Sequence, residues 1–99
     1  MYKAIILPFA KQDIQDAAAW YNSKQKGLGK RFIQQVKDKV KFIREYPKAV
    51  AIRYDDIRAT TLKSFPYMIH YTVDDEQQKI IISAVLHTRR SPSSWKNDN

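Results

Sequence analysis

The sequence predicts an α+β domain with the order β-α-α-β-β-β, two antiparallel helices covering one face of a mostly antiparallel sheet. Three observations predict it. Residues 9–46 carry apolar side chains three and four positions apart, in two blocks parted by the only two glycines of the chain. Beyond Pro47 the period falls to two, in short runs bounded by polar turns. The chain has 99 residues, room for a single domain over 1–99, and 43% of them are hydrophobic, enough for a core of its own.

Lys3–Leu7 is a short β-prone run ended by Pro8, a residue suited to a helix start. From Phe9 to about Gln25, Ala10, Ile14, Ala17, Ala18 and Tyr21 form one apolar stripe, and Asp13 and Asp16 stand in the early turns, where the helix dipole favours negative charge. Lys24–Gly29 breaks the pattern as a tight helix–helix connection. A second helix over about Lys30 to Tyr46 buries Phe32, Val36, Val40 and Ile43, and Pro47 stops it. At 100° per residue, Lys30, Lys37, Lys41 and Arg44 gather on a side adjacent to the buried stripe. The helical hairpin thus spans about 9–46.

The strands follow over about 49–86. Ala49–Tyr54 and Ile57–Leu62 are candidates separated by Asp55-Asp56, and the second is the better because Ile57, Ala59 and Thr61 alternate with Arg58, Thr60 and Leu62. After the turn Lys63–Pro66, Tyr67–Val73 alternates with Tyr67, Ile69, Tyr71 and Val73 on one face. Asp74–Gln78 is a polar hairpin loop. The near-continuous apolar run of Lys79–Leu86 predicts burial on both faces and a central position. A tail over 87–99 contains Arg89-Arg90 and Trp95.

Composition narrows function. No cysteine is present, so disulfides, thiol nucleophiles and Cys-based zinc sites are excluded. His70 and His87 stand in no ligand spacing, so no metal and no cofactor are expected. The N-terminus lacks the charged-then-apolar pattern of a signal peptide and no apolar run suits a bilayer, so a cytoplasmic protein without membrane contact is expected. The net charge of +8 is localised: residues 24–63 hold twelve Lys or Arg against four acids, and the rest of the chain is balanced. Such a patch suits a polyanion or an acidic protein partner, or serves simply as a solvated face.

Two segments resemble the RelE/ParE toxin superfamily. Leu62-Lys63-Ser64-Phe65-Pro66-Tyr67-Met68-Ile69-His70-Tyr71 is similar to the family's leucine, short turn and Phe-Pro-Tyr-x-Ile-x-Tyr. Ala84-Val85-Leu86-His87-Thr88-Arg89-Arg90-Ser91-Pro92 is similar to its ending of valine, x, His, x, Arg-Arg, x-Pro. The likeness runs from residue 3 to about 95. It implies a toxin held inactive by a cognate antitoxin, with operator DNA reached only through that antitoxin. The superfamily splits by target. ParE-like members inhibit DNA gyrase without chemistry of their own, whereas RelE-like members cleave messenger RNA on the ribosome. The Phe-Pro-Tyr segment and the His-x-Arg-Arg ending favour the ParE-like reading.

Cleavage through a 2′-hydroxyl requires a base, an acid and cations for the phosphorane. If the chain is RelE-like, the residues for this are His87, Arg89, Arg58 and Lys63. No tyrosine follows Tyr71. Trp95 stands near the place of the family's tail aromatic, where an indole stacks on a base but does not exchange a proton. The expected binding residues are Arg90, Trp95, Lys37, Lys41 and Arg44. Simpler roles stand beside these. His87 caps its strand or hydrogen-bonds the tail, and Arg58 joins a site only if the side away from Ile57 and Ala59 is the concave face. A third reading is a non-toxic nucleic-acid-binding module, favoured by the localised charge and aromatics.

Overall fold

A computed structural model describes residues 1–89. The elements are β1 (Lys3–Ile6), α1 (Pro8–Lys24), α2 (Leu28–Glu45), β2 (Ile52–Tyr54), β3 (Ile57–Thr61), β4 (Tyr67–Asp74) and β5 (Lys79–His87). Four strands rather than three therefore follow the hairpin. The weaker candidate, Ala49–Tyr54, is a strand after all, shortened to three residues because Pro47–Val50 turns before it.

Pro8 occupies the first turn of α1, where its missing N–H is not needed. The helix ends where the Gln25 N–H reaches the Tyr21 carbonyl, 3.1 Å away. Gly27 then takes φ 90°, a left-handed conformation that favours glycine, and its N–H donates to Asn22 Oδ1 at 2.8 Å. Gly29 serves a different end. It is buried, and a Cβ built on it would collide with the Ala18 carbonyl oxygen of α1, so its bare Cα sets how closely the two helices approach.

The sheet has the order β1-β5-β4-β3-β2, with β1 parallel to β5 and every other pair antiparallel. Lys79–His87 is thus an interior strand as expected, but the middle place belongs to β4. The cause lies at the N-terminus, because β1 returns to pair with β5 and adds a strand on that side. The helices pack on one face over Phe32, Val36, Ile43, Ile69, Tyr71, Ile80, Ile82 and Val85. Ala59, His70, Ala84 and Leu86 are buried outside that cluster, on the opposite face, and the first three are direct neighbours across β3, β4 and β5.

A register shift explains the long apolar run of β5. His70 faces Ala84 but Tyr71 faces Ile82, so Ser83 is one residue too many. Its hydroxyl donates to the His70 carbonyl at 3.3 Å. Core-facing positions are Ile80 and Ile82 before the bulge and Val85 after it, so the alternation changes phase. Tyr71 is fully buried and its hydroxyl donates to the Pro47 carbonyl at 2.9 Å, tying β4 to the end of α2. Arg44 ties α2 to the sheet edge: its Nε donates to the Tyr2 carbonyl at 2.8 Å and its own carbonyl accepts from the Tyr2 N–H at 3.2 Å.

Candidate functional site: a histidine cleft and a two-flanked basic helix

Beyond Ile6, β1 no longer lies beside β5. Leu7 makes the last contact, its N–H donating to the Ile82 carbonyl at 3.0 Å. Over the exposed stretch of β5 edge lies α1, and Asp13 reaches across to accept the Val85 N–H at 3.0 Å. Between helix and strand end opens a cleft of about 640 Å³, with Asp13, Asp16, Trp20, Tyr21, Tyr67 and His87 on its walls. Burial raises the phenol pKa values of Tyr21 and Tyr67 above their ordinary value, and the nearby Asp13 carboxylate adds to the shift of Tyr67. Both hydroxyls therefore stay protonated around neutrality and serve as hydrogen-bonding groups, not as bases.

His87 ends β5 in this cleft, its ring edge-on to Tyr67 with centroids 5.3 Å apart. Its Nδ1 accepts the backbone N–H of Arg89 at 3.1 Å, which places the proton of the neutral ring on Nε2. Thr88 continues the ladder by one bond, its N–H donating to the Pro66 carbonyl at 2.8 Å. His87 thus fastens the turn that leaves the strand.

The other expected site residues lie elsewhere. Arg58 pairs across the ladder with Tyr71, on the helix-covered face, and its guanidinium donates to the Val50 carbonyl. Along β4, Tyr71 stands four residues from Tyr67, the partner of His87, a separation of roughly 13 Å at strand rise. Lys63 follows β3 and lines a different recess, against α2. Arg89 is exposed in the turn after β5. Arg90 and Trp95 lie outside the described residues. The structure therefore brings His87 and the Arg89 backbone together, but not His87, Arg58 and Lys63.

Lys37, Lys41 and Arg44 do converge. They border a smaller recess of about 280 Å³ between α2 and β1, floored by Ile6, Val36 and Val40. The outward edge of β1 runs along it, since β1 is the first strand of the sheet. Asp13, Trp20 and Tyr21, which wall the histidine cleft, were not expected there. The helical period marks Tyr21 as apolar and Asp13 as an acid of the early turns, and no local signal says that α1 lies across the end of β5. Among the described residues there is no group of three or more His, Cys, Asp or Glu side chains placed to hold a metal ion. No helix among them is long and apolar enough to cross a membrane.

This architecture is that of the small α+β toxins of toxin–antitoxin systems. It is similar to the "Chromosomal ParDE TA system from P. aeruginosa", with a TM-score of 0.75 and 18% identity over 88% of this chain and 96% of that one. The intact E. coli RelBE toxin–antitoxin complex matches with a TM-score of 0.69 and 22% identity over 91% of this chain and 100% of that one. The isolated E. coli RelE toxin matches with 0.68 and 22% identity, covering 97% and 94%. Comparison with curated proteins by sequence finds no match. The family model described as "ParE toxin of type II toxin-antitoxin system, parDE" matches residues 4–92, and the chain belongs to that family.

Proposed function

We propose that this chain is a toxin that arrests growth by inhibiting DNA gyrase, without RNA chemistry of its own, and that a cognate antitoxin holds it inactive. The observation that carries this reading is the separation of the groups an RNA-cleaving site needs. His87 sits in a cleft with two carboxylates, Arg58 is engaged by the Val50 carbonyl, and Lys63 lies against α2. Phosphoryl chemistry needs its acid, base and cations within hydrogen-bond reach of one phosphate. The match of the ParE model over residues 4–92 supports the same side of the superfamily. The antitoxin's place, on this reading, is the basic flank of Lys37, Lys41 and Arg44, covered by an acidic or amphipathic segment. Both gyrase and antitoxin are met in the cytoplasm.

Two assays decide. Purified toxin is added to gyrase on relaxed plasmid, and loss of supercoiling is expected. In cells induced for the toxin, DNA breaks with intact messages are expected. Codon-phased cuts in messenger RNA that disappear in His87→Ala or Arg89→Ala, with supercoiling untouched, would make the chain a ribosome-dependent endoribonuclease and overturn the proposal.

A further inference from the structure

The helix α2 has a second flank, on the other side of its buried stripe from Lys37, Lys41 and Arg44. Arg31, Gln35, Asp38 and Phe42 recur there at four- and three-residue spacing, about 110° round the helix from the buried line Phe32–Val36–Ile43. The loop after β3 closes over this flank. The Ser64 N–H donates to Gln35 Oε1 at 2.8 Å, which holds the neighbouring Lys63 beside the helix. Loop and helix enclose a recess of about 450 Å³, bordered by the cations Arg31, Lys39 and Lys63. Among the described residues its one carboxylate is Asp38, which accepts from Gln34 Nε2 at 2.9 Å. Its wall is Phe42, 40% exposed, with Tyr46, itself 57% exposed, next to it at 5.6 Å between ring centroids. The Lys39 ammonium stands 5.3 Å from the Phe42 ring centre.

We propose that this recess binds a segment of single-stranded nucleic acid, with phosphates against Arg31, Lys39 and Lys63 and a base stacked on Phe42. Cations alone suit any polyanion, so the aromatic wall decides. An acidic peptide satisfies the cations without calling for exposed rings beside them, and a duplex keeps its bases inside. A single strand offers both the charge and the π-face. The opposite flank has cations too, but its floor is aliphatic, so it attracts phosphate without holding a base. This contact is independent of the gyrase reading, and its test contains no gyrase, so either can fail alone.

The test is fluorescence anisotropy of a labelled oligo(dT) of about 12 nucleotides with the purified toxin, over about 50 to 200 mM salt. Phe42→Ala is expected to weaken binding about tenfold with its salt dependence unchanged, and Phe42→Trp to restore it. Lys63→Gln is expected to lower the slope of log affinity against log salt by about 0.7, the value for one single-strand phosphate contact. Lys37→Gln, on the opposite flank, is expected to leave affinity within about twofold. Equal binding by Phe42→Ala and the unaltered protein overturns the proposal, as does an equal loss in Lys37→Gln and Lys63→Gln, which means diffuse attraction only. Competition by poly-glutamate that weakens in Phe42→Ala as the oligonucleotide does would assign the recess to an acidic protein segment instead.

Discussion

His70 is 3% exposed on the sheet face away from the helices, with its Nδ1 3.0 Å from the Tyr54 hydroxyl. Burial lowers its pKa below the ordinary 6.5, and the positive charge of Arg53 lowers it further. The unfolded chain therefore takes up this proton first as pH falls, and protonation favours unfolding. The stability linked to His70 is complete above about pH 6.5 and declines below it, until the folded imidazole also titrates. The midpoint of urea unfolding should drop between about pH 7 and pH 5, and His70→Gln should flatten that drop. An unchanged slope in His70→Gln would assign the acid sensitivity to other groups. The strand alternation already placed His70 on the face opposite Tyr71. Its contact with Tyr54 was not legible, because it depends on how β2 lies beside β3, and the two are joined by only Asp55 and Asp56.

At the scale of elements, the hairpin of helices rests on one close approach. Replacing Gly29 by alanine sets a methyl group against the Ala18 carbonyl, which is backbone and cannot swing aside. Gly29→Ala should cost about 1–3 kcal/mol in chemical denaturation, although alanine is the better helix former. A variant as stable as the original would show that the hairpin can widen freely. The two helices and their buried faces were legible because period and glycine punctuation are local properties. The sheet was legible strand by strand but not in its order. Nothing local tells that β1 returns to β5, or that Ser83 shifts the phase of that strand. The same holds for the site. His87 and the lysines of α2 could be singled out by type and spacing, whereas the acidic wall that Asp13 and Asp16 give the histidine cleft depends on where α1 crosses β5.

Across the whole molecule, the +8 charge lies between residues 24 and 63 and so falls largely on α2 and the strands that follow it. The histidine cleft, by contrast, carries two acids of α1. The localised positive charge orients an approaching acidic partner before contact. If an acidic antitoxin segment covers the flank of Lys37, Lys41 and Arg44, Lys37→Glu with Lys41→Glu should weaken the complex about tenfold or more at low salt. The difference should shrink as salt rises, whereas Lys11→Glu on the exposed side of α1 should change little. Isothermal titration at two salt concentrations reads both effects, and a loss independent of salt would point to packing at those positions.

The parallel pairing of β1 with β5 also bears on synthesis. Lys3–Ile6 pair with residues 79–82, so the first strand is made before every other element of the fold and waits for the last of them before its ladder can form. Until β5 has left the ribosome, the nascent chain holds its helices without the completed sheet beneath them. A surface that depends on the finished sheet therefore closes only after β5 has emerged, however early the helices form.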